Sequence, residues 1–208
     1  MRTVLLVAAE PFELKYVPRE TSKFRFLRVT GGAGPRLAAA ALHKLRISFD
    51  VVVSTGMCGA LDPSLCVGDV FVAVSVNGVT CRLPLPQTPY RSGSLVSLDR
   101  IVGTVLERKQ LADAGYAAVE MEAAAVSEYA SARGFEFYCI RAVSDTACEE
   151  FAVDLNAARD REGRIRVRKI LCQAARRPVK ILPELLRLRR NSDIAARALG
   201  AFLATCEF

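Results

Sequence analysis

The sequence contains one histidine, His43, among 208 residues. A Ser-His-Asp triad, a Cys-His dyad or a multi-histidine metal site would each depend on that side chain. His43 lies in PRLAAAALHKLRI beside Lys44 and Arg46, a helical pattern in which a partly exposed position accounts for it. Carboxylates are therefore the groups expected to run any acid–base chemistry. There are seven cysteines, an odd number, at scattered spacings and with no CxxC. They read as free thiols in a reducing cytosol. No apolar stretch reaches the ~18 residues that a spanning helix needs. The opening MRTVLLVAAEPFE meets Glu10 too early for a signal segment and is expected to form a first β-strand.

Half of the chain is hydrophobic (51%), and its mass is 22.6 kDa. A chain of that size buries roughly 70% of its extended surface on folding, enough for a core without staples. One domain over residues 1–208 is expected. The net charge of +7 is unevenly placed. Arg159 to Arg197 holds thirteen Lys/Arg against four Asp/Glu, so the remainder of the chain is slightly acidic. From about residue 159 the chain reads as a basic helical extension, with apolar residues at helical spacing in Val179–Leu188 and Ile194–Leu203. Such a segment is either a solvated helix face or a surface that lies on an anionic membrane. Aromatic residues are not interleaved with the basic ones, which argues against nucleic acid as a partner.

Thr3–Ala8, Phe24–Val29, Asp50–Ser54, Asp69–Val76 and Phe137–Val143 are strand-like runs. An Ala/Leu-rich helix is expected up to about Leu45, and another over Ala123–Arg133. This alternation predicts an α/β fold, three layers αβα around a mixed central sheet. Leu83–Ser94, with three prolines, is expected to be an exposed loop.

Four segments carry residue types suited to chemistry at strand ends, where ligands collect in such sheets. Gly31-Gly32-Ala33-Gly34-Pro35-Arg36 can present N–H groups and a guanidinium to an anion, or be a plain strand–helix turn. Ser54-Thr55-Gly56-Met57-Cys58-Gly59 runs a buried strand into a glycine turn that admits a planar ligand, or simply turns. In Val119-Glu120-Met121-Glu122, residues two apart in an extended stretch share a face. Two carboxylates there need donors, such as sugar hydroxyls, unless they are a solvated pair at a helix start. In Arg141-Ala142-Val143-Ser144-Asp145, desolvation at the end of a buried strand would raise the pKa of Asp145 and let it act as a general acid; the alternative is a helix cap.

Together these segments resemble the purine/uridine phosphorylase and nucleosidase superfamily. STGMCGALDPSLCVGDV looks like its strand–glycine turn followed by L-x-P-x-L-x-x-G-D-V, VEMEAAAV like its Met-Glu ribose segment, and IRAVSDTA like its R-x-x-S-D segment. Within that superfamily, Asp160/Gly163-Arg164, Arg176-Arg177-Pro178, Leu182-Pro183-Glu184-Leu185-Leu186 and Asn191-Ser192 resemble the hopanoid-biosynthesis-associated phosphorylases. So does the stretch from Val76-Asn77-Gly78 to Leu83-Pro84. Those enzymes are thought to release adenine from adenosylhopane.

The resemblance implies cleavage of the N-ribosidic bond of a purine nucleoside, lipid-linked in the narrower match, with no metal or organic cofactor. Asp145 would protonate the purine N7 with help from Ser144. Met121 and Glu122, beside Glu120, would hold the ribose. Ile101 and Val102 would meet the base through their backbone, and Gly56, Met57, Cys58 and Gly59 would lie along sugar and base. Glu13, or failing that Glu10, would activate water in a hydrolase. In a phosphorylase Gly32, Gly34 and Arg36 would bind inorganic phosphate as co-substrate. A homo-oligomer is implied, in the cytoplasm or peripheral to the inner membrane face. Two other readings stand beside this one: a methylthioadenosine/adenosylhomocysteine or futalosine nucleosidase, and a non-catalytic nucleoside-binding module at the membrane surface.

Overall fold

The computed structural model describes residues 1–160 and 162–208. In chain order the elements are β1 (Arg2–Ala8), a 3₁₀ turn (Pro11–Leu14), β2 (Phe24–Thr30), α1 (Pro35–His43), β3 (Val51–Ala60), β4 (Val70–Val76) and β5 (Val79–Thr80). There follow β6 (Arg91–Ser97), α2 (Val105–Asp113), β7 (Ala118–Glu120), α3 (Ala123–Ser131), β8 (Glu136–Asp145), α4 (Leu155–Ala158), α5 (Val167–Arg176) and α6 (Pro178–Thr205).

The sheet is mixed, as the strand–helix alternation predicts. Its order is β2-β1-β3-β7-β6-β4-β5, and β8 pairs with both β3 and β4. Those pairings close a ring of five strands: β3–β8–β4–β6–β7 and back to β3. Closure removes the exposed edges that a flat sheet would leave on these strands. β1 and β2 extend β3 as a parallel wing.

Alternation along the strands builds two cores. Leu5, Val7 and Val52 point to the side covered by Leu42 of α1 and by Ala123, Val126 and Ala130 of α3. Val4, Leu6, Val51 and Val53 point to the other side, where α6 supplies Ala195, Leu199, Phe202 and Leu203. Val4–Ala8 of β1 and Val51–Val53 of β3 are continuous apolar runs because both of their faces are covered.

Three expectations are corrected. Arg91–Ser94 are not loop but the first half of β6, paired in parallel with β4; their exposed, polar side chains hide the strand. The glycine turn expected after Ser54 is strand, since β3 runs through to Ala60. The basic extension packs in, the end of α6 forming the outer layer of one core. Its two expected helical stretches are one helix of 28 residues. The polar residues between them continue the helix on its outer side, where Asp193 accepts hydrogen bonds from Arg197 Nε (2.9 Å) and Tyr16 Oη (2.8 Å). Pro183 is tolerated because the carbonyl it deprives belongs to Val179, a largely exposed residue whose carbonyl can bond to water.

Gly200 marks the closest approach of α6 to the chain after β1. A Cβ there would stand 2.6 Å from the carbonyl oxygen of Tyr16. On an isolated helix Gly→Ala stabilises by about 1 kcal/mol. Here Gly200→Ala should instead lower the melting temperature by several °C, measured by circular dichroism; an unchanged or higher value would contradict the packing.

Candidate active site

The parallel strands β1, β3 and β8 end on one side of the sheet, and four carboxylates gather there. Asp145 closes β8. The β3–β8 register shifts at Cys58/Gly59, so that Gly59 pairs with Asp145 and Ser144 becomes the extra residue. A bulge of this kind re-aims side chains at a strand end. Ser144 Oγ stands 2.7 Å from Asp145 Oδ1 and 3.3 Å from the carbonyl oxygen of Cys58, which pins the carboxyl group. Arg108 Nη2 lies 2.5 Å from Asp145 Oδ2 and 3.1 Å from the carbonyl oxygen of Val102, to which it donates. Burial nevertheless pushes the pKa of Asp145 up, opposed by the Arg108 charge.

Glu13 comes from the 3₁₀ turn after β1. It is buried, and its two oxygens accept from the N–H groups of Met57 (2.9 Å) and Glu10 (2.8 Å). Burial raises its pKa, while those bonds and the charge of Arg141 oppose the rise. Gly56 makes room for it: its φ is +127°, and a Cβ would stand 2.7 Å from Glu13 Oε1. Glu10 is exposed, caps the 3₁₀ turn with its side chain and does not line the cavity described below, so the second choice of base is corrected by position.

Glu120 ends β7 and Glu122 precedes α3. They do not share a strand face, because the chain turns helical at Glu122. Glu120 turns back onto the N–H groups of Glu122 and Ala123 and pairs with Arg141. Glu120 thus holds its neighbours in place while it also lines the cavity described below. Glu122 accepts the N–H of Gly34 at 2.8 Å, and its other oxygen lies 3.5 Å from Arg141. Burial first, then the charge of Glu120, pushes its pKa from the ordinary 4.5 to about 8.

Arg141 is the cation common to these groups. It is fully buried, donates to the carbonyl of Thr55 (2.9 Å) and to Ser54 Oγ (2.7 Å), and faces Glu120 and Glu122. A buried charge persists only when paired and hydrogen-bonded.

These groups surround a cavity of about 190 Å³. Glu13, Glu122 and Asp145 line it, as do Met57, Cys58 and Gly59 of β3. Ile101, Val102, Glu120, Met121 and Ser144 complete the residues that the sequence pointed to. Gly56 does not line the cavity and instead backs Glu13. The thiol of Cys58 packs in the core, and burial keeps it protonated. The expected base contact through the backbone of Ile101 is corrected: its N–H and carbonyl are both held by the side-chain amide of Asn156, at 2.8 and 2.7 Å.

The expected phosphate cradle is also corrected. The N–H of Gly32 bonds the carbonyl of Ala9, and that of Gly34 bonds Glu122. Arg36 and Gly34 open on a neighbouring cleft of about 620 Å³, which shares Ala33 and Arg100 with the cavity. Among the described residues no cluster of His, Cys, Asp and Glu could hold a metal ion.

Sequence reasoning missed Arg108 and Phe151. The Arg108 guanidinium lies 5.3 Å from the Phe151 ring centre, and both line the cavity. α2 has no apolar stripe to show which way Arg108 points, and Phe151 sits in a loop where an aromatic carries no period.

A carboxyl whose pKa is raised by folding binds its proton more tightly in the native chain. Its contribution to stability is full below the unfolded pKa and is lost as pH rises through the folded one. The Glu122 contribution should therefore fade between about pH 4.5 and pH 8. Glu122→Gln should flatten the fall in melting temperature from pH 5 to pH 8 by a few °C. Equal slopes for variant and parent would contradict this.

Residues 77–176 match the model of the Phosphorylase superfamily. A 5'-methylthioadenosine/S-adenosylhomocysteine nucleosidase of Staphylococcus aureus (strain bovine RF122 / ET3-1) is 29% identical over 141 residues, covering 52% of this chain and 62% of the relative. The chain thus spans about 62% of the length of the curated relatives it matches. The S. pneumoniae 5'-methylthioadenosine/S-adenosylhomocysteine nucleosidase structure with a transition-state inhibitor has the same fold, with TM-score 0.63 at 18% identity, covering 98% of this chain and 99% of the other. A futalosine hydrolase mutant of Helicobacter pylori strain 26695 gives TM-score 0.65 at 14% identity, covering 98% and 97%. Over residues 77–176 the chain is thus similar to the Phosphorylase superfamily, and it shares its fold with nucleosidases of known structure.

Proposed function

We propose that this chain hydrolyses the N-ribosidic bond of a purine nucleoside. The observation that carries the reading is the convergence of Glu13, Glu122 and Asp145, all buried and all with raised pKa, on one cavity. Asp145 delivers a proton to the ring nitrogen N7 as the electrons of the C1′–N9 bond pass to the base. Glu13 takes the proton of the water that adds to C1′. Glu122 accepts hydrogen bonds from the ribose hydroxyls, with Met121 beneath the ring. Raised pKa values suit both acid and base near neutral pH. Hydrolysis is favoured over phosphorolysis because the glycine N–H groups are already bonded within the protein.

Adenosylhopane is the substrate we propose, with adenine as the released base. The support is the resemblance of the C-terminal stretch to hopanoid-associated phosphorylases. The cleft of about 620 Å³ that adjoins the cavity offers room for a bulky 5′ substituent. The second reading is a methylthioadenosine/adenosylhomocysteine nucleosidase, favoured by the names of the sequence relatives.

Adenine release from adenosylhopane in detergent, with and without phosphate, tests the proposal beside methylthioadenosine. Release should be independent of phosphate, and Asp145→Asn and Glu13→Gln should each lower kcat by about 10²–10⁴. Strict phosphate dependence would overturn hydrolysis. A strong preference for methylthioadenosine would select the second reading. Unchanged rates in both variants would overturn the assigned roles.

A further inference from the structure

We propose that the outer face of α5 and the start of α6 docks the protein on an anionic lipid bilayer. The two helices pack on each other through Ala174 and Ile181, with Ile170, Leu185 and Leu188 against them. Their outward faces should then be polar. Instead, Val167 and Leu171 on α5 are 66% and 60% exposed, four residues apart and so on one face. Val179, Leu182 and Leu186 on α6 are 86%, 51% and 68% exposed, again at helical spacing. Apolar side chains this open, and repeated along one face of each helix, mark an interaction surface.

The charges around them identify the occupant. Arg168, Arg176, Arg177, Lys180, Arg189 and Arg190 are exposed and have no carboxylate within ion-pair distance among the described residues. Leu186, Arg189 and Arg190 share a cleft of about 760 Å³ with Phe12, which is half exposed and adjoins Glu13. Apolar residues set among unpaired cations suit a bilayer with anionic headgroups, where acyl chains meet the former and phosphates the latter. A second copy of the chain would place cations against cations. Nucleic acid would leave the aliphatic side chains unmet. No helix of the described residues is long and apolar enough to cross a membrane, so the contact is interfacial.

This inference stands apart from the choice of nucleoside. Flotation of the full chain would be measured with vesicles of about one-third phosphatidylglycerol in phosphatidylcholine, and with phosphatidylcholine alone. Binding should be at least about tenfold stronger to the anionic vesicles and should weaken as salt screens the surface. Arg189→Gln/Arg190→Gln should lose about 25-fold, roughly fivefold for each cation removed. Leu182→Asp/Leu186→Asp should also detach the protein, while Leu106→Asp, equally exposed on α2, should not. All of these sites are on the surface, so each variant is expected to keep its circular dichroism spectrum. Equal binding to both vesicles, or retention by both double variants, would overturn the proposal. So would an oligomer in sedimentation that Leu182→Asp/Leu186→Asp dissociates while vesicle binding stays unchanged. Adenine release from a soluble nucleoside should be unaffected in the double variants, which separates this test from that of the chemistry.

Discussion

One buried guanidinium organises the site. Arg141 lies in the middle of β8 with no exposure, and it joins β3, through Thr55 and Ser54, to the two acids that bracket the start of α3. Taking such a charge out of water costs several kcal/mol, offset here by the acceptors around its two terminal nitrogens. The acids bear the matching cost, and neither side is stable alone. Glu120 is tied to Arg141 and to two N–H groups at the mouth of α3, so the helix, the ring of strands and the ion pair form together. Glu122 and Glu13 then stand close enough to feel the same charge without being fully neutralised by it.

The partial pairing has a chemical consequence. A carboxyl gripped by a cation stays ionised, and one buried alone stays protonated. Glu13, Glu122 and Asp145 lie between these limits. Each is desolvated, and each is opposed by arginine charge or by backbone donors. Arg108 plays for Asp145 the part that Arg141 plays for Glu122, and it reaches the cavity from α2 on the far side. Two arginines and four acids thus set protonation states around a small cavity.

Much of this was legible in the sequence. Continuous apolar runs gave away β1, β3, β4 and β8, because strands covered on both faces have no polar side to dilute the signal. Glu13, Met121, Glu122 and Asp145 sit at strand ends within recognisable motifs, and they do converge. The illegible parts share one cause: their partners are distant in sequence. Arg108 is buried by Asp145 and by carbonyls of Ala60 and Val102, none of which marks the helix it comes from. The N–H groups of Gly32 and Gly34 look free in a glycine turn until Ala9 and Glu122 are folded against them. Nothing in the sequence around Glu120 shows that Arg141 pairs with it. β7 is three residues long and exists only because β3 and β6 flank it.

The central claim is that Arg141 supplies the charge that lets Glu120 and Glu122 remain buried. Replacing it with methionine keeps the volume and removes the charge. Thermal unfolding of Arg141→Met, followed by circular dichroism at pH 5 and pH 8, tests this most directly. The account predicts a loss of about 3–5 kcal/mol at pH 8, where the acids would be buried unpaired. Part of that loss should be recovered at pH 5, where Glu122 takes up a proton. A variant as stable as the parent at pH 8, or one equally weakened at both pH values, would contradict it.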